Sequence, residues 1–184
     1  ALRHLDQSGS AEQWAKLAGE HNGSDRWYLE ALGIGADRQW DAFFTAWLQK
    51  TPDPLLTPAS RDIVWRSRSR LSLPYLFALA SDDKIPLPDR LRYFRAFDFQ
   101  QGNAKSAYLL KMLSENKAQN MELNKLALHA LDRKTVENSP VAKKALQDVI
   151  VTVRGTREYL DLVNRYRIRS ENKYLLDLAI RKNS

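Results

Sequence analysis

Apolar residues recur every three or four positions along nearly the whole chain, the spacing that places them on one face of an α-helix. Proline and glycine stand at the joints between these stretches, where a helix is expected to end. No alternating apolar and polar run is long enough to predict a β-strand. The pattern therefore predicts an all-α fold. Its clearest apolar stripe is Trp40, Phe43, Phe44 and Trp47.

Start and stop signals divide the pattern into separate helices. The predicted N-caps include Ser10, Asp25, Asp37 and Thr57. Pro58 fits the first helical position after Thr57. Residues 149–153 are β-branched and favour a helix less than the other segments do. The predicted helices cover residues 10–21, 25–34, 37–50, 57–70, 75–80, 88–99, 104–115, 120–131, 140–153, 156–167 and 172–180.

Taken in pairs, these helices predict about five antiparallel hairpins. Residues 62–73 fit the second-helix pattern of HEAT repeats, with an acid, a Val-Arg pair, small residues three apart and a final leucine; residues 123–131 repeat it loosely. Asp62 and Arg66, four apart, can pair on one helix face. Each hairpin exposes an apolar edge that only a neighbour can cover. We therefore predict one domain over residues 1–184, a HEAT-like or armadillo-type α-α superhelix.

Composition excludes several kinds of chemistry. The chain has no cysteine, so it can hold neither a disulfide nor a thiolate metal site. No run of 18 apolar residues predicts a membrane span. Residues 1–5 contain no initiator methionine and no apolar signal segment, and they resemble the inside of an amphipathic helix. We therefore expect this sequence to be a piece of a longer, multidomain protein.

No catalytic cluster is visible in the sequence. His4, His21 and His129 are far apart and lack nearby carboxylates, so we interpret them as structural or surface histidines. Residues 33–35, Gly-Ile-Gly, follow a helix, and this indicates a helix end rather than a dinucleotide loop. The serines at 67, 69 and 72 are interpreted as small packing residues. The tryptophans at 14, 27, 40, 47 and 65 have helical spacing and are predicted to lie in the core.

The formal net charge is +7, and the whole positive excess follows Ser60. The arginines there are Arg61, Arg66, Arg68, Arg70, Arg90, Arg92 and Arg95. They allow two interpretations. Arg66 can pair with Asp62, and Arg95 with Asp98 or a neighbouring helix, which would brace the repeats. Alternatively, arginines interleaved with aromatic side chains form a phosphate- or base-binding groove.

A resemblance bears on this choice. Three segments, DRWYLEALGIGA at 25–36, RDIVWRSR at 61–68 and RYFRAFDF at 92–99, resemble the helical-repeat region of large bacterial PVC-type haem-binding proteins, also called membrane-bound dehydrogenases. The resemblance covers roughly residues 25–179. Members of that family join a sorbosone-dehydrogenase-like β-propeller, a HEAT-like region and a C-terminal cytochrome c domain.

The resemblance implies a non-catalytic scaffold or protein-interaction module. Covalent haem attachment requires a Cys-x-x-Cys-His motif, so this segment is expected to hold no cofactor, and haem c is expected elsewhere in the parent protein. The implied partners are the neighbouring propeller and cytochrome c domains, or another protein. The implied location is outside the cytoplasm, in the periplasm or cell envelope.

Six residues are predicted to form an interaction surface or to brace neighbouring repeats: Asp62, Arg66, Arg68, Arg92, Arg95 and Asp98. In the alternative function the chain is a nucleic-acid-binding helical repeat, and the narrower form of this alternative is a HEAT-like DNA glycosylase. Such an enzyme needs a catalytic acid beside aromatic side chains, and Asp98 is the candidate. We expect the bracing role, with nucleic acid not a partner.

Overall fold

The computed structural model of the protein describes residues 9–100, 102–115 and 121–182, and these residues form helices and turns without a β-strand. This confirms the predicted all-α fold. The α-helices are α1 (Ser10–Gly19), α2 (Arg26–Gly35), α3 (Trp40–Lys50), α4 (Pro58–Arg66), α5 (Leu73–Ser81), α6 (Leu87–Arg95), α7 (Asn103–Ser114), α8 (Met121–Ala130), α9 (Arg133–Asn138), α10 (Pro140–Val153), α11 (Arg157–Tyr166) and α12 (Asn172–Lys182). Short 3₁₀ turns cover Arg70–Ser72, Ala96–Phe99 and Arg169–Glu171.

The chain divides into two compact units, Ala1–Tyr108 and Leu109–Ser184, with the boundary inside α7. Each unit has its own packed core. The single domain over 1–184 and the superhelix of about five helix pairs stay predictions. None of the helices in the described ranges is long and apolar enough to cross a lipid bilayer.

In the first unit, α1 packs most extensively on α3, while α2 contacts both α1 and α4. Aromatic rings fill the space between α1 and α3: the Trp14 ring meets Trp40 edge-on at 5.7 Å between centroids and lies equally close to Phe43. The indole Nε1 of Trp14 donates a hydrogen bond of 2.9 Å to the carbonyl oxygen of Leu32 in α2. This aromatic cluster therefore joins the first three helices.

Two of the predicted helix starts are confirmed by their hydrogen bonds. The Asp25 carboxylate accepts from the amide of Tyr28, and Thr57 forms a reciprocal cap with Ser60 just before Pro58. The prediction for Asp37 was wrong, since α3 begins at Trp40. Arg38 has a φ of 69°, and this left-handed conformation interrupts a right-handed helix.

The helix predicted over residues 57–70 ends earlier, at Arg66, because Ser67 is extended. The hydroxyl of Ser69 accepts from the amide of Leu71 and donates to the Asp41 carboxylate at 2.6 Å. Serine hydroxyls that bond nearby backbone groups compete with helical hydrogen bonds, which explains the break. Ser67, Ser69 and Ser72 are fully buried, as expected of small packing residues, but their hydroxyls also build this turn.

Trp27 departs from the predicted core. Its side chain is 82% exposed, whereas Trp14, Trp40 and Trp47 are buried as predicted. Helix α2 is apolar around much of its circumference: Leu29 and Leu32 face the core, and the other face carries Trp27 and the exposed Ile34. Periodicity alone does not show which of two apolar faces a helix buries.

In the second unit, α10 packs against α8, α9 and α11. The β-branched residues 149–153 are helical, which confirms the prediction there, and Val149, Ile150 and Val153 are buried. Helix α9 was not predicted. It has six residues, too few to show a periodic apolar face, and it begins where the Asp132 carboxylate accepts from the amide of Thr135.

A carboxylate network joins the loop before α11 to the segment before α12. Arg154 Nη2 donates to Glu171 Oε1 at 3.0 Å, and the Tyr159 hydroxyl donates to Glu171 Oε2 at 2.9 Å. The Arg154 guanidinium also lies 5.0 Å from the centre of the Tyr174 ring. The hydrogen bond from Arg154 holds the pKa of Glu171 below its usual range, while burial together with Glu171 raises the pKa of Tyr159 to about 12.

The Glu171 network should make the second unit sensitive to acid. Because the folded-state pKa of Glu171 is lowered, its ionised form stabilises the fold above the ordinary glutamate pKa of about 4.3, and this contribution is lost as pH falls through the folded-state value. We expect Glu171→Gln to melt below the wild type near neutral pH, with the difference shrinking towards zero on acidification. Circular-dichroism melting across this range measures it. Exposed Glu115→Gln is the control, and a difference that stays constant with pH would contradict the assignment.

Candidate interaction surface

Asp62 is the centre of the predicted basic surface. Its Oδ1 accepts from Arg92 Nη2 at 2.7 Å, and its Oδ2 lies 3.3 Å from His21 Nε2. The three residues come from α4, from α6 and from the turn after α1. The His21 side chain is 2% exposed and that of Asp62 is 14% exposed. An acid this buried needs compensating charge or hydrogen bonds, and the two neighbours supply them.

Arg66 binds a different acid. Its Nε donates to Glu30 Oε2 of α2 at 3.0 Å. The predicted partner was Asp62, one turn away on the same helix. The two side chains do project from α4, but Arg66 reaches α2 and Asp62 reaches α6. We call Arg66–Glu30 and Arg92–Asp62 the two arginine bridges, since each connects α4 to a neighbouring helix.

A glycine gives Arg66 its position. A Cβ atom built on Gly33 would lie 2.2 Å from Arg66 Cζ, well inside van der Waals contact, so the guanidinium rests directly on the backbone of α2. Gly33 was predicted only as part of a helix end, whereas it lies inside α2. The absence of a side chain at Gly33 also leaves the space in which Arg66 meets Glu30, a requirement that no local pattern shows.

Two arginines stack on aromatic rings. Arg92 Cζ lies 4.3 Å from the centre of the Trp65 ring, and Trp65 Nε1 donates to the carbonyl oxygen of Arg92 at 3.2 Å. Arg68 Cζ lies 3.7 Å from the centre of the Phe99 ring. Burial lowers the pKa of Arg68 to about 10, with repulsion from nearby Arg66 acting in the same direction, so Arg68 stays charged at neutral pH.

Arg95 and Asp98 are exposed, and neither forms an ion pair with any residue that the structure describes. This differs from the predicted pairing of Arg95 with Asp98 or with a neighbouring helix. Both instead line an open groove of about 550 Å³, which we call the α4–α6 groove. The groove is lined by Trp65, Pro88, Leu91, Arg92, Arg95, Asp98 and Phe99.

The structure therefore brings five of the six predicted site residues into two contact sets. Asp62 and Arg66 belong to the arginine bridges, Arg95 and Asp98 belong to the groove, and Arg92 belongs to both. Arg68 lies beside them on Phe99. Glu30, the partner of Arg66, and His21, the second neighbour of Asp62, were missed because they lie 36 and 41 residues before those partners in the chain.

One further histidine of the described residues lies near a carboxylate. His129 Nε2 lies 3.8 Å from Glu158 Oε1 in the second unit, and His4 is outside the described residues. Within the described ranges, no three or more histidine, aspartate or glutamate side chains are grouped to hold a metal ion.

The chain matches no protein-family model, no curated protein and no solved structure. The resemblance of segments 25–36, 61–68 and 92–99 to PVC-type haem-binding proteins therefore stays a prediction.

The contact of Arg66 with Gly33 can be tested by a double-mutant cycle. We expect Arg66→Ala to cost roughly 1–3 kcal/mol, because the half-buried Glu30 carboxylate loses its partner. Gly33→Ala should also destabilise the wild type, because the new methyl group displaces the guanidinium. In the Arg66→Ala background the same change should instead stabilise by about 0.5–1 kcal/mol, the helix-propensity gain of alanine over glycine.

Denaturant unfolding of the four proteins gives this coupling. Gly19→Ala, in α1 with open space around the new methyl group, is the control for helix propensity. If Gly33→Ala has the same effect with and without Arg66, the close approach does not hold the bridge.

Proposed function

We propose that this chain is a non-catalytic helical scaffold that acts as a protein-interaction module. The observation that carries the proposal is the pair of arginine bridges, in which Arg66 and Arg92 bind acids on neighbouring helices. Two of the seven arginines of the predicted basic surface thereby have an internal function. They join α4 to α2 and to α6.

Burial determines how much the two arginine bridges contribute to stability. The carboxylates of Asp62 and Glu30 lie among packed helices, and removing the arginine would leave each with uncompensated charge. Exposed ion pairs contribute little, so the Arg66–Glu30 bridge, with an Arg66 side chain 15% exposed, supports the proposal more strongly than the Arg92–Asp62 bridge, to which stacking of Arg92 on Trp65 adds. The bridges therefore suit a rigid support for other domains or proteins.

The resemblance supports a larger setting for this scaffold. In it, the parent is an exported bacterial haem-binding, dehydrogenase-like protein of the periplasm or cell envelope. Haem c and redox chemistry belong to its other domains, and this segment contacts the propeller and cytochrome c domains. Reading the coding sequence on both sides tests this setting: we expect a Cys-x-x-Cys-His motif after Ser184 and propeller repeats before Ala1. A reading frame limited to these 184 residues would contradict it.

The alternative function is nucleic-acid binding. One observation favours it, the stacking of Arg92 on Trp65 and of Arg68 on Phe99 around an open groove. Two observations oppose it: Asp62 and Glu30 neutralise Arg92 and Arg66, and the Asp98 carboxylate lines the groove, where it repels phosphate. As the glycosylase candidate, Asp98 shares the groove lining with two arginines, Arg92 and Arg95, and Arg92 is already bound to Asp62.

Replacing Arg92 distinguishes the two functions. We expect Arg92→Ala to lower the free energy of unfolding by about 1–2 kcal/mol, a value discounted because the Arg92 side chain is 39% exposed. Arg95→Ala, at an exposed position without an ion pair in the described structure, is the matched control and should change it by less than about 0.5 kcal/mol. Thermal and denaturant unfolding measure both.

A fluorescence-anisotropy titration with duplex DNA completes this test. We expect no sub-micromolar binding at physiological salt. Sub-micromolar binding that weakens steeply as salt increases, together with unchanged unfolding of Arg92→Ala, would favour nucleic-acid binding, because each neutralised phosphate releases a counterion.

A further inference from the structure

We infer that the α4–α6 groove binds an acidic peptide segment that carries an apolar side chain. This inference rests on the proposed function as an interaction module and adds the class of partner. The groove lies in the first unit, between Trp65 of α4 and the face of α6 that continues into the turn Ala96–Phe99.

The floor of the groove is apolar. Pro88 and Leu91 of α6 line it, together with Trp65 and Phe99. The Phe99 side chain is 57% exposed although one of its faces is covered by Arg68. The volume of about 550 Å³ is within the range of roughly 300–1,000 Å³ that is typical of ligand sites. An aliphatic or aromatic side chain entering this space would remove that apolar surface from water.

The edge of the groove is cationic. Arg95 is exposed on α6, one turn after Arg92, and both line the groove. A guanidinium has five N–H donors, and Asp62 accepts from only one of its nitrogens in Arg92, so Arg92 retains donors for a second carboxylate. Arginine and carboxylate form paired, charge-assisted hydrogen bonds, which favours aspartate or glutamate in the partner.

Arg92 is already held in place before a partner binds. Its guanidinium is held by Asp62 at 2.7 Å and by the Trp65 ring at 4.3 Å. A side chain that is ordered before binding loses less conformational entropy when the partner arrives. The formal net charge of +7 also attracts acidic segments at long range.

The charges at the groove favour a peptide over a nucleic acid. A nucleic acid brings a regular row of phosphates and needs several free cations along it. Here Asp62 partly neutralises Arg92, and Asp98 adds a negative charge to the lining. A peptide can place separate carboxylates at Arg92 and Arg95, and its apolar side chain between them, without a charge opposite Asp98.

The probe is a fluorescein-labelled octapeptide that alternates aspartate or glutamate with phenylalanine or leucine. We expect saturable binding by fluorescence anisotropy that weakens with added salt. Arg95→Glu should weaken it about tenfold or more, and Leu91→Ser, which tests the apolar floor independently, should weaken it severalfold. Arg26→Glu makes the same charge change at an exposed position outside the groove lining and should change affinity less than about twofold.

Two further peptides separate the apolar contribution to binding from the contribution of charge. One has serine in place of the apolar residues, and the other has lysine in place of the acids. Both should bind much more weakly than the probe. Circular dichroism of each variant confirms folding, and if Arg95→Glu does not fold, Arg95→Gln takes its place.

Each contrary outcome has a distinct meaning. The peptide inference is overturned if the octapeptide does not bind, or if Arg26→Glu and Arg95→Glu weaken its binding equally. In that case the scaffold proposal still stands if Arg92→Ala lowers the free energy of unfolding. If a twelve-residue thymidine oligonucleotide displaces the labelled peptide at a lower concentration than unlabelled peptide does, both the peptide inference and the scaffold proposal are overturned.

Discussion

The packing of the first unit depends on the Asp62 carboxylate, which contacts side chains from two other parts of that unit. It lies on α4 and binds Arg92 of α6 and His21 after α1 with separate oxygens. Because its side chain is mostly buried, the negative charge is stable only with these neighbours in place. Their positions are therefore linked: a shift of α6 or of the turn after α1 would leave charge or a polar nitrogen uncompensated.

The end of α4 sets the position of the adjoining arginine. Successive residues of a helix are about 100° apart, so an uninterrupted α4 would point Arg68 about 200° away from Arg66. The extended backbone at Ser67 removes Arg68 from the helix, and its guanidinium lies on Phe99. The buried hydroxyl of Ser69 fixes this turn through Asp41 of α3. The turn at residues 67–69 therefore determines which aromatic ring Arg68 stacks on.

Arg92 belongs to both the internal bracing and the proposed binding groove. Its contacts with Asp62 and Trp65 connect α6 to α4, and Arg92 also lines the groove. Stability and binding are then coupled at this residue, whereas Arg95 contributes to the groove alone. Residues three positions apart share one helix face, so both arginines line the groove, but only Arg92 lies against Asp62 and Trp65.

The sequence by itself determined most of the helices, although not the short α9. The three- and four-residue spacing, the caps at Asp25 and Thr57, and the proline after Thr57 depend on interactions within one turn, so they are visible locally. The same locality explains the errors, since Arg38 and Ser67 adopt backbone conformations that their neighbours in sequence do not require.

Only the tertiary structure decided which arginine meets which acid. Arg66 and Glu30 are 36 residues apart, and their contact depends on the packing of α2 on α4 and on the missing side chain of Gly33. Charge pairing at that distance depends on where whole helices lie, because a side chain reaches only the neighbour that packing brings to it.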